Sequence, residues 1–107
     1  MIKNKLKQQV VDLQRINDKI ESIINHKNRH ILDDIILDYV IIQRNKIEMI
    51  IETSKYSLTN SDNDLLESIY DTNDTLDIKD LESKLDRYIE LLEDKNTYYK
   101  NNIITKR

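Results

Sequence analysis

The chain has 107 residues, 38% hydrophobic and 35% charged, with a formal net charge of −3, and it contains no Gly, Pro, Ala, Cys, Trp or Phe. This is one domain's length, enough for a modest core. Missing cysteine excludes disulfides, thiolate metal sites and thiol nucleophiles, and missing glycine excludes a phosphate-cradling loop and the sharp turn of a calcium loop.

Residues 4–25 predict the first helix. Leu6, Val10, Leu13, Ile16, Ile20, Ile23 and Ile24 recur every three or four positions and fall on one face, with only Val11 apolar on the other. The polar stretch 25–30 is either a loop between antiparallel helices or an exposed part of one rod over 4–57. Asn28 is the candidate N-cap for the next helix.

Residues 29–57 predict the second and most apolar helix. Ile31, Leu32, Ile35, Ile36, Tyr39, Val40, Ile42, Ile47, Met49, Ile50 and Ile51 cover far more of the wheel than one buried stripe needs, so two neighbours are expected on it. Leu37 and Ile41 stand together on the otherwise polar side, with Arg44 near them. The polar run 56–63 predicts a loop, with Ser61 and Asp64 spaced as a capping box.

A short third helix is predicted over 62–71, acting as a connector. The fourth, 77–101, has the best start signal: Asp77 as cap, with Leu76 and Leu81 as a hydrophobic staple around it. Ile78, Leu81, Leu85, Tyr88, Leu92 and Tyr99 then follow a heptad seam, leaving 102–107 as a frayed tail. The expected fold is all-α: a single domain forming an antiparallel three-helix bundle or helical hairpin with a short extra helix and coiled-coil-like seams. Without alanine, these seams are expected to rest on Ile and Leu.

Charge is unevenly placed. Residues 1–30 hold seven Lys/Arg against three acids, whereas residues 62–94 hold twelve acids against three bases. Attraction between the first helix and the fourth is therefore expected. The alternative use of the basic end is nucleic-acid binding through Lys3, Lys7, Arg15, Lys19, Lys27 and Arg29. An acidic chain with no aromatic residue in that helix argues against it.

His26 and His30 are four apart, but Lys27 and Arg29 between them repel a cation, so a solvated turn is expected and no metal. No nucleophile–base–oxyanion set is present, and neither a cofactor nor a small-molecule substrate is implied. The chain therefore reads as a non-enzymatic helical interaction module: a small subunit, adaptor or inhibitor of a partner protein, or a homo-oligomer. Leu37, Ile41, Arg44, Tyr98 and Tyr99 are the candidate partner contacts. No apolar run reaches signal-peptide or bilayer-spanning length, which predicts a cytoplasmic protein without membrane contact. The 18 Ile, 11 Asn and 12 Lys, set against no Ala, Gly or Pro, point to an AT-rich genome, such as that of a low-GC bacterium, its phage or a virus.

Overall fold

The computed structural model describes residues 1–93. It is all-helical: α1 (Ile2–Ile24), α2 (Asp34–Asn60), α3 (Asn63–Asp74) and α4 (Ile78–Glu93), with a 3₁₀ turn over Arg29–Ile31 between the first two. The continuation of the last helix towards residue 101, and with it Tyr98 and Tyr99, lies outside the described residues.

Leu6, Leu13, Ile16, Ile20 and Ile23 of α1 are all fully buried, as their spacing predicts. α1 is the central rod, with α2, α3 and α4 all packed on it. α2 runs antiparallel to it, so that Arg44 faces Glu21 at 3.9 Å. The chain then turns again. Lys3 reaches Ser61, Gln9 donates to the carbonyl of Tyr70, Lys19 bonds Asp86 and Asn28 donates to the carbonyl of Leu92. These pairs advance together, so α3 and α4 form one broken rod parallel to α1. The short helix is thus not a connector but the first half of the third rod, and the attraction between α1 and α4 joins parallel helices, not antiparallel ones.

The single long rod is ruled out by the turn at 25–33. Leu32 and Asp33 are extended, and Asp33, not Asn28, caps α2 by accepting from the Ile36 amide at 2.9 Å. The second helix therefore begins at Asp34 instead of residue 29. Asn28 turns its amide to Leu92 and ties the loop to the end of α4.

The predicted loop over 56–63 shrinks to two residues. Tyr56–Asn60 stay helical, with Ser57 fully buried, and the Thr59 and Asn60 side chains donate to carbonyls four residues back. Ser61 then adopts the left-handed conformation, with φ 54° and ψ 32°, and closes α2. Asp62, rather than Ser61, caps α3 by accepting from the amides of Asp64 and Leu65. The left-handed region costs a residue with a Cβ about 1–2 kcal/mol. Ser61→Gly is accordingly expected to stabilise the chain by about 0.5–1 kcal/mol in denaturant unfolding, since glycine's greater freedom when unfolded offsets part of the gain. No gain would refute strain at this turn.

At the break in the third rod, Asp77 caps α4 as its sequence predicts, accepting from the Asp80 amide at 3.1 Å. The seams are not purely Ile and Leu. Ser54 and Ser57 are both fully buried, and Asn73 of α3 donates to Ser54 Oγ at 2.9 Å within the core. Serine fills the small positions that alanine commonly fills in helix interfaces.

Candidate interaction surface

Three features of the bundle are accessible: an ionic cleft, a groove beside α2, and the outward face of α2.

The cleft lies where the third rod breaks against α1. It has a volume of about 420 Å³, and its lining includes Gln9, Asp12, Arg15, Asn73, Asp77 and Glu82. The Arg15 guanidinium grips both Glu82 oxygens, Nε to Oε2 at 2.9 Å and Nη2 to Oε1 at 3.2 Å, and also bonds Asp12. Lys19 Nζ donates to Glu82 at 2.9 Å and to Asp86 at 2.6 Å. Hydrogen bonds from Arg15, then from Lys19, pull the Glu82 carboxyl down to about 2. The Lys19 ammonium is pushed up, chiefly by Asp86 and then by Glu82. A carboxylate so firmly ionised neither donates nor accepts a proton readily near neutral pH. The cleft's chemistry is therefore that of a clasp between α1 and α4.

The candidate nucleic-acid residues are thus partly engaged inside the fold. Arg15 and Lys19 hold α4, Arg29 donates to the Ile24 carbonyl at 2.9 Å, and Lys3 reaches Ser61. Lys7 and Lys27 are exposed. His26 Nδ1 accepts the Asn28 amide within the turn. Among the described residues no group of three or more His, Cys, Asp or Glu could hold a metal ion, and no helix is long and apolar enough to cross a membrane.

The groove arises because α2 packs on α1 and α3 but scarcely touches α4. One section, of about 200 Å³, is lined by Met49, Ile50, Thr53, Ile69, Thr72 and Asn73. A second section of about 210 Å³ continues towards α4 past Tyr39, Lys46, Ile50, Leu76, Ile78 and Leu81. At this edge Lys84 sits over the Tyr39 ring, 5.7 Å from its centroid.

The outward face of α2 carries what sequence reading missed. Ile35, Ile42, Met49 and Tyr56 are 82%, 55%, 69% and 66% exposed. The first three were expected on the covered face and Tyr56 in a loop. They lie outside because α1 and α3 pack on the other sides of α2. The signal available in sequence was their seven-residue spacing, hidden within a wide apolar arc. The stripe lies about 140° around the helix from the buried line Val40, Ile47 and Ser54, and is bordered by Asp38, Asn45 and Glu52 on one side and Tyr39, Lys46 and Thr53 on the other.

The predicted contacts Leu37, Ile41 and Arg44 occupy the α1 flank of α2. Leu37 is half-buried against the core, Ile41 is 37% exposed, and Arg44 points towards Glu21. Tyr98 and Tyr99, the other two, are among the residues not described. Comparison with protein-family models, curated proteins and solved structures finds nothing that matches this chain.

Proposed function

We propose that this protein is a non-enzymatic helical interaction module that binds another protein chain through the outward face of α2. The observation that carries this reading is the exposed stripe Ile35, Ile42, Met49 and Tyr56. Scattered exposed apolar residues are ordinary, but four in line over three heptads make a continuous apolar ridge that a partner chain can cover. The flanks are polar, as the rim of an interface is. Leu37 and Ile41 lie apart from this stripe, on the α1 flank of α2. We place this activity in the cytoplasm, on the grounds of a cysteine-free chain and of the lack, among the described residues, of any helix long and apolar enough to cross a membrane.

This reading is preferred to nucleic-acid binding because Arg15 and Lys19, the two inner cations of that candidate set, already neutralise Glu82 and Asp86. It is preferred to catalysis because the ionic cleft holds a carboxylate locked in its ionised form.

The test is the double substitution Ile42→Asp and Met49→Asp in the tagged full chain. The variant is expected to keep its helical circular dichroism, because both side chains face water in the single chain. It is also expected to lose the stoichiometric companion, a second copy or another chain, that purifies with wild type. Equal solution mass and the same co-purifying chains for both proteins would sink this reading.

A further inference from the structure

Resting on that reading, we infer that the chain seated on the stripe is α2 of a second copy, running antiparallel about a two-fold axis at Met49. Three observations lead there. First, the seven-residue repeat fits a helix lying along α2 at a small crossing angle, because a 3.5-residue period keeps a seam facing one partner helix. Second, the stripe suits pairing with itself. A two-fold at Met49 sets Met49 against the partner's Met49, and Ile42 against the partner's Tyr56. Antiparallel helix dipoles favour the arrangement.

Third, the flanking charges select this axis among the antiparallel alternatives. With the axis at Met49, Asn45 lies opposite the partner's Glu52, Lys46 opposite the partner's Thr53, and Asp38 opposite the partner's Thr59. No like charges meet, and the amide–carboxylate pair occurs twice by symmetry. Moving the axis midway between Ile42 and Met49 brings Lys46 onto the partner's Lys46 and Asp38 onto the partner's Glu52. Centring it on Ile42 drives Lys46 towards the partner's Tyr39, whose ring face already carries Lys84 in each copy. The Met49 axis also brings the partner's Met49 level with the cavity of about 200 Å³ between α2 and α3. An unbranched thioether is suited to fill such an irregular gap.

The chain has no cysteine, so single-cysteine variants report proximity without background. Met49→Cys is expected to yield a disulfide-linked dimer under mild oxidation. Equimolar Ile42→Cys and Tyr56→Cys are expected to form the mixed dimer, and Ile35→Cys alone is expected to form none, because its partner position falls beyond α2. Sedimentation should show wild type as a dimer and Met49→Asp as a folded monomer. Strong cross-linking of Ile35→Cys with itself means a parallel pair and overturns the inference. So does a wild type that sediments as a monomer at every concentration reached. In that monomeric case, a different chain lost on Ile42→Asp with Met49→Asp leaves the module reading standing; if no companion is lost either, both fall.

Discussion

Leu85→Ala is expected to release α4 from the bundle while the rest of the chain stays folded. Leu85 and Leu92 are the only fully covered side chains of α4, at 0% and 1% exposure, and the helix packs on α1 and the 3₁₀ turn but scarcely on α2. Removing a buried leucine down to its Cβ costs about 2–5 kcal/mol. That is a large part of the 5–15 kcal/mol that holds a typical domain. Because α4 packs mainly on the single neighbour α1, much of this loss should appear as local opening. Hydrogen exchange followed by mass spectrometry should show faster exchange across 78–93 and little change in α1 and α2. Uniform acceleration over the whole chain would mean that α4 is an inseparable part of the core. The same substitution at Leu13, which is fully buried in the central rod, should instead weaken every helix together.

Glu82→Gln is expected to weaken the protein at neutral pH and to flatten its response to acid. In the folded chain the carboxyl titrates at about 2, against an ordinary value of 4.5. A lowered carboxyl stabilises the fold above the unfolded-state value, and the stabilisation is lost as pH falls towards the folded one. The window is therefore between about pH 4.5 and 2. A shift of this size corresponds to a ceiling of about 3 kcal/mol. Glu82 is 23% exposed and Arg15 49% exposed, so solvent screening reduces the expected cost to about 1–2 kcal/mol. Lys19 acts at the other end: its ammonium is raised by Asp86 and Glu82, so its contribution persists through neutral pH and fades only as pH climbs above 10.5. Urea unfolding of wild type and variant from pH 7 down to pH 2 measures the effect. Parallel curves across that range would show that the clasp does not couple to folding. Half-molar salt should also shrink the wild-type advantage, as expected of a partly exposed ionic cluster.

Much of this fold is legible in the sequence. The buried face of α1 and the start of α4 follow from periodicity and from Asp77, signals that depend on local chemistry alone. The attraction between the basic first helix and the acidic fourth is visible in the charge distribution, although its parallel sense is not, because that sense depends on where the second turn falls. The turn at Ser61 was hard to locate because neither glycine nor proline marks it. A serine in the left-handed region looks like any loop serine, and the polar residues before it still form helix. The exposed stripe is hard to see in the sequence for a related reason. Leu37 and Ile41 stand out on a helical wheel as apolar residues among polar ones, whereas Ile35, Ile42 and Met49 merge with the core positions beside them. Among the described residues no helix packs on that side of α2, and that is a tertiary fact. Tyr56 was hidden by the loop expected around it.

The buried contact between Asn73 and Ser54 governs alignment more than strength. A core built almost entirely of isoleucine and leucine offers many near-equivalent ways to slide one helix past another, because each ridge resembles the next. Moving α3 by one turn towards the start of α2 would set the Asn73 amide against Ile50 and Ile51, at the desolvation cost of an unpaired polar group. The misaligned packings are thus penalised while the native one is not, much as a single buried asparagine sets the register of a coiled coil. In a chain whose greasy alphabet is nearly two letters, one amide and one hydroxyl select among arrangements that hydrophobicity alone leaves degenerate.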